Sequence, residues 1–362
     1  MDAPQQLDTR RIECGPSEIA LVANSFNEIL RLPYFLDYYR SLGVDHFLIN
    51  DNASSDGSIE FLMAQDDVHT FFSPGSFADA RRGLDWLEHL RSTYLDDRWV
   101  VTADLDELFV YPMSEHVGLR ALAEILDEEG ARAVFAFMLD LYDDVPIDEE
   151  IYRSGQPFQE AHSFFDGAGY RIAAGSNFPP VAVFGGPRYR LHKAEGRRGR
   201  GAVLRKVPFV RWGPDIQYTA VNHSVTPTSI GSITGVMLHF KFLGPFGTKV
   251  GQSIERGELS APTLDDYESF KNQIELGAPT LTYDGSIRYQ DSLQLLDLGY
   301  IRAGKFGRNA LVEAAKAIGT MTAKERGVAF QRMKFAEPIG DEDVSVPLGK
   351  ALRLWPMAFE QR

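Results

Sequence analysis

The alternation in the first 140 residues between short apolar runs and longer amphipathic stretches constrains this chain most. IALVANS (Ile19 to Ser25) is a continuous apolar run, as expected of a strand buried on both faces. Leu32, Phe35, Leu36, Tyr39 and Leu42 then recur at three-to-four spacing, with Pro33 where a first helical turn tolerates it. HFLIND (His46 to Asp51) is a second strand, closed by the turn-rich NASSDGS, and IEFLMA resumes helically. SFADARRGLDWLEHLRSTYL predicts one amphipathic helix carrying Phe77, Ala80, Leu84, Leu87, Leu90 and Tyr94 on one face. RWVVTAD, LRALAEILDEEG and RAVFAFMLD follow as strand, helix and strand. Such alternation implies right-handed crossovers and a mostly parallel sheet flanked by helices on both faces, the α/β class.

Beyond residue 150 aromatics, glycines and prolines dominate, and FVRWGPDIQYTAVNHSV and SITGVMLHFKF predict short strands joined by turns. LDDYESFKNQIEL, YQDSLQLLDLG and NALVEAAKAIG return the chain to helix. The expected division is an N-terminal arm over 1–16, a first half over 17–145, a second half of the same domain over 146–250, and a helical region over 251–362.

No apolar run approaches the roughly 20 residues of a membrane helix, so at most peripheral membrane contact is expected. The polar start lacks a signal-peptide core, and the one cysteine, Cys14, is expected to be an incidental thiol; both fit a cytoplasmic protein. A formal charge of −14 argues against nucleic acid as a partner. The charge is uneven, however. Arg188 to Arg211 holds nine Arg/Lys against the single acid Glu195, either a solvated loop or a cationic lid for phosphate-bearing ligands.

Ligands of open α/β sheets bind at the carboxyl ends of strands. Here those ends carry Asn24, Asn27 and Glu28, then Asp51, then Asp104 to Glu107, then Asp140. Clustered carboxylates repel unless a cation or proton holds them together. In an extended Asp-Leu-Asp, Asp104 and Asp106 point to one side and Leu105 into the core. Such a pair suits a hard divalent ion, Mg²⁺ or Mn²⁺, with positions left for a diphosphate whose departing charge it neutralises. A haloacid dehalogenase-like phosphatase, with Asp104 as nucleophile, would carry the motif on its first strand. Here three strand-helix units precede it.

The N-terminal half resembles glycosyltransferase family 2, in the bacterial subgroup with a D-x-D-E motif. ANSFNEILRLPYFLDYYRSLGVDHFLINDNASSDGS and TADLDELF carry the resemblance, which is strong over about residues 17–112 and weaker beyond. It implies a GT-A fold, Rossmann-like, with a mixed acceptor-binding half, and transfer of a sugar from a nucleotide-diphosphate donor, UDP-linked, to a saccharide or lipid-linked saccharide acceptor. Carried over by position, Asp51 resembles the acid that meets the pyrimidine base, and Arg81 or Arg82 the base- or diphosphate-contacting cation. Asn27 and Asp140 lie at strand ends facing the donor. Asp104 and Asp106 then serve ribose and metal, while Glu107 braces nearby groups. His239, followed by Lys241 on the same side, completes the metal set, and Lys241 screens the diphosphate. The family is inverting and needs a base from the second half. Asp166 and His223 are the two candidates, whereas Asp215 in WGPD is expected to be a turn residue. A non-catalytic nucleotide-sugar- or carbohydrate-binding protein of the same fold is the rival expectation.

Overall fold

Alternating burial organises the central sheet. Ile19, Leu21 and Ala23 face one side with Phe47 and Ile49, while Ala20, Val22 and Leu48 face the other. The first side packs on the helices Leu32–Ser41 and Leu119–Glu129, the second on Leu84–Tyr94. Each face therefore has its own apolar layer, as a strand without polar alternation requires. The computed structural model describes residues 3–149, 151–194 and 202–335.

The sheet has eleven strands. Its main path runs Gln5–Gln6, Val68–Phe72, His46–Asp51, Ala20–Ser25, Trp99–Thr102, Arg205–Arg211, Ala133–Tyr142, Gly235–His239, Glu107–Val110. Six of these share one direction, and Gln5–Gln6, Arg205–Arg211 and Glu107–Val110 oppose it. Phe164–Asp166 and Ser286–Arg288 extend the far end of Ala133–Tyr142. This is a mostly parallel, Rossmann-like α/β sheet flanked by helices. Ala133–Tyr142 lies inside it, and all ten residues are buried.

Several expectations are corrected. The helix expected from Phe77 begins only at Leu84. Arg81, Arg82 and Gly83 are consecutive left-handed residues, with φ of 47°, 60° and 74°, so no right-handed helix passes through them. Gly83 is required there, because a Cβ would collide with the Asn24 side chain, which donates to the Gly83 carbonyl at 3.2 Å. The strand Val68–Phe72 completes the third strand-helix unit, to which the sequence pattern assigns no strand residues. RYRLHK lies in a helix, Gly186–Ala194, rather than in a loop; residues 195–201 of the basic stretch lie outside the described residues.

The Asp-Leu-Asp segment is a turn, not extended strand. The strand ends at Thr102, the Glu107 N–H donates to the Asp104 carbonyl at 2.9 Å, and the chain reverses into Glu107–Val110. Both aspartates still leave the core, and Leu105, 3% exposed, anchors the turn from below.

Candidate active site

A cleft of about 490 Å³ opens at the carboxyl ends of the parallel strands, within the size range of small-molecule sites. The Asp104–Asp106 turn forms part of its floor, and the helices Phe246–Arg256 and Ala261–Glu275 supply one wall. Sequence analysis placed this wall across the boundary between the second half and the helical region.

Asp106 and His239 form the centre. Gly235–His239 pairs antiparallel with Glu107–Val110, which sets His239 opposite Glu107 and beside the turn. Parallel pairing with Ala133–Tyr142 sets the same histidine opposite Asp140. His239 Nδ1 lies 2.5 Å from Asp140 Oδ1, and Nε2 lies 3.5 Å from Asp106 Oδ2. Burial opposes the charge on Asp106, yet His239, Arg31 and Lys241 hold its carboxyl well below the usual range. Burial likewise opposes the imidazolium, but Asp106 and Asp140 raise the His239 pKa above its ordinary value. Asp140 itself is held down to about 2, against burial, by Arg188 and His239.

Asp104 is the more open of the pair, its side chain 55% exposed against 19% for Asp106. Its place in the cleft, with Glu107 beside it, raises its carboxyl above the ordinary carboxylate value. Glu107 is buried and braces its surroundings. It accepts from the Asp104 N–H at 3.3 Å and from Asn222 Nδ2 at 3.0 Å, and it pairs with Lys206 at 2.5 Å. Lys206 Nζ is also 3.7 Å from Asp104 and donates to Asn222 at 2.6 Å.

The donor set fits a divalent cation in part. Cis ligands of one Mg²⁺-like ion lie about 3 Å apart, close to the Asp106–His239 separation. The Asp140 contact fixes Nδ1 and leaves Nε2 directed at Asp106, the orientation a metal-ligating histidine receives from a partner carboxylate. Asp104 does not complete a closed group of three ligand atoms with them: among the described residues such a group is formed by Cys14, Glu18 and His46.

Seven cations also line the cleft, Arg31, Arg82, Arg188, Lys206, Lys241, Lys249 and Arg256, together with the acids Glu28, Glu258 and Asp266; Glu28 pairs with Arg31 at 2.8 Å and with Lys249 at 2.6 Å. Lys241 donates to the Tyr267 hydroxyl at 2.6 Å and lies over its ring. Arg256 bonds Asn52, pairs with Glu258 and stacks at 4.0 Å over Phe26, which is exposed at the end of the first long strand. Asn27 lines the cleft in a left-handed conformation, its side chain accepting from the Ser55 N–H at 2.8 Å.

Four expected residues are not brought to the cleft. Asp51 is fully buried and closes its own turn, accepting from the Ser54 N–H at 2.7 Å and hydroxyl at 2.6 Å; Asn52 lines the cleft instead. Asp140 stands behind His239, clamped by Arg188 Nε at 2.8 Å. Arg81 pairs with Asp85 on the exposed side, and Arg82 alone of the two lines the cleft. Asp166 is 1% exposed, with its carboxylate taken by Arg190 through two bonds of 2.8 Å and by the Tyr142 hydroxyl at 2.6 Å.

His223 does line the cleft. Its Nδ1 meets the Arg205 carbonyl at 2.8 Å, an acceptor only, so Nδ1 carries the proton and Nε2 is left as an acceptor. Burial, with Lys206 nearby, lowers its pKa well below the usual histidine value, which keeps the ring neutral. Asp215 sits in the expected turn, paired with Arg132 at 2.5 Å.

Lys206, Arg188, Lys249 and Arg256 escaped the sequence analysis as site residues. Lys206 left a trace: a lysine inside the apolar strand RKVPFVR, 1% exposed, needs a buried acid to face. The others are surface-like cations until helix packing brings them over the cleft.

No protein-family model matches this chain, and no curated protein matches it. Among solved structures it is similar to the crystal structure of 4-diphosphocytidyl-2C-methyl-D-erythritol synthase, at 18% identity and a TM-score of 0.23, over 41% of this chain and 67% of that one. Among the described residues no helix is long and apolar enough to cross a membrane.

Proposed function

We propose that this protein is a metal-dependent glycosyltransferase of the family 2 type. It moves a sugar from a UDP-linked donor to a saccharide or lipid-linked saccharide acceptor, with inversion. The observation that carries the reading is the pairing of Asp106 with His239 in a cleft whose lining also carries Arg31, Arg188, Lys206, Lys241, Lys249 and Arg256. A cleft that only bound sugar would have no use for a buried carboxylate-imidazole pair oriented from behind by Asp140.

Asp106 and His239 would hold Mn²⁺ or Mg²⁺, with Asp104 beside them; the ion supplies positive charge at the leaving diphosphate. Lys241 and Arg188 add fixed charge at the same place, preorganised by Tyr267 and Asp140. Phe26 and Arg256 offer the nucleoside a ring and a stacked guanidinium, which Asn52 holds in place, instead of the Asp51 contact implied by the resemblance. His223, neutral with Nε2 free to accept, takes the proton from the acceptor hydroxyl. The acceptor oxygen forms its bond to the anomeric carbon as the bond to the diphosphate breaks, and the electron pair leaves on the diphosphate. With Asp166 engaged by Arg190 and Tyr142, the base assignment falls to His223.

The test is incubation with a panel of nucleotide sugars, with and without Mn²⁺, followed by proton NMR of the first-formed product. Metal-dependent release of UDP with an inverted anomeric centre is expected. Turnover unaffected by chelation, or release of inorganic phosphate instead, overturns the reading.

A further inference from the structure

We propose that Cys14, Glu18 and His46 form a second metal site, for a borderline divalent cation of the zinc class, at the end of the sheet opposite the cleft. The three side chains offer sulfur, oxygen and nitrogen donors whose ligand atoms all lie within 4.8 Å of one another. Glu18 Oε2 is 3.1 Å from His46 Nε2. Thiolate, carboxylate and imidazole are the donors of tetrahedral zinc sites, and three of them leave a fourth position for water.

The backbone brings these donors together without strain at any ligand residue. Cys14 and Glu18 flank a turn in which the Glu18 N–H donates to the Gly15 carbonyl at 3.2 Å and the Gly15 N–H to the Glu18 carboxylate at 2.5 Å. The Cys14 carbonyl is pinned by Arg98 at 2.8 Å. His46 opens the second long strand, in register with Ala20 just after the turn. The three donors thus belong to one rigid strand start and the turn against it.

The pairing is odd chemistry without a cation. A thiol is a weak donor, and the Cys14 thiol makes long bonds, 3.8 and 3.7 Å, to the Gly15 and Glu18 backbone carbonyls. Beside the Glu18 carboxylate a thiolate would be repelled. A bound dication reverses that balance, since it stabilises thiolate and carboxylate together. The site is separate from the cleft, because strands of six residues at about 3.3 Å each put about 20 Å between them.

One property makes the test clean: Cys14 is the chain's single cysteine. Titrating the full-length protein with Co²⁺ is expected to give a thiolate-to-cobalt charge-transfer absorption that saturates at one equivalent and is displaced by Zn²⁺. The band should survive Asp106→Ala, vanish in Cys14→Ser, and require at least about tenfold more Co²⁺ in His46→Ala or Glu18→Gln, the size of loss that even outer-shell partners produce. Because these variants disturb a strand start, alkylation of Cys14 in the unaltered protein is the second measurement. Zn²⁺ should slow it at least about tenfold, in line with withdrawal of the thiolate. No charge-transfer band, a band indifferent to His46→Ala and Glu18→Gln, or alkylation unchanged by Zn²⁺ overturns the site.

Discussion

Arg188 and Arg190 stand two residues apart on one helix, and each clamps a buried aspartate. Arg188 holds Asp140 at 2.8 Å, and Arg190 holds Asp166 through two bonds of the same length. Around Asp166 both carboxylate oxygens are engaged: Tyr142 adds a hydroxyl, and Arg190 also donates to the Leu281 carbonyl. Around Asp140 the chain of contacts continues outward through His239 to Asp106, which faces the cleft. One cluster closes on itself and fixes the packing of the second half. The other ends on a carboxylate with an open side, which is where a ligand can act. Burial with an Arg partner is common to both, so function lies in what remains unsatisfied.

Three substitutions bear on that comparison. The largest effect is expected from Asp106→Ala: turnover falls at least about 10²-fold, by analogy with loss of one oxyanion donor, while thermal unfolding is nearly unchanged. Equal activity in wild type and variant would place the open end elsewhere. Asp166→Ala should do the reverse. It leaves Arg190 and Tyr142 without their acceptor and costs about 2–4 kcal/mol of stability in denaturant titration, with turnover of the folded protein kept. Lost turnover at unchanged stability would return Asp166 to the base role. The smallest effect belongs to Asp140→Asn, where His239 keeps its place but loses a charged partner; Mn²⁺ affinity measured by calorimetry should drop about tenfold. No change in affinity would separate the Arg188–Asp140 clamp from the site.

The same comparison shows what was legible in the sequence. Strands with no polar alternation and helices with strict three-to-four spacing declared themselves, because burial on two faces and on one face leave different periods. Asp104 and Asp106 stood out as candidates because adjacent acids after an apolar strand repel unless a cation or proton holds them together. Asp166 misled for a physical reason. A single acid in FFDGAGY looks like an isolated base, yet its partners, Arg190 and Tyr142, come from a separate helix and strand. Phe77 and Ala80 misled in another way, since their spacing imitates a helix face that the left-handed run at Arg81 to Gly83 forbids. Asp51 has the strand-end position expected of a base contact, but the serine three residues on captures it locally.

The strand that joins the two halves of the sheet is also among the last to be made. Arg205–Arg211 sits between Trp99–Thr102 and Ala133–Tyr142, bonded to both. On the ribosome, about 100 residues separate Thr102 from Arg205, roughly 5–20 s of synthesis. Throughout that interval Val100 and Val101 border one open row of backbone donors and acceptors, and Val134 and Phe137 border another once they are made. Contacts of such long sequence separation are slow to form, and unpaired apolar edges are templates for other chains. The placement that brings Lys206 beside Asp104 therefore makes the nascent chain depend on shielding until the sixth strand of the sheet path has emerged, and it ties assembly of the cleft to completion of the sheet.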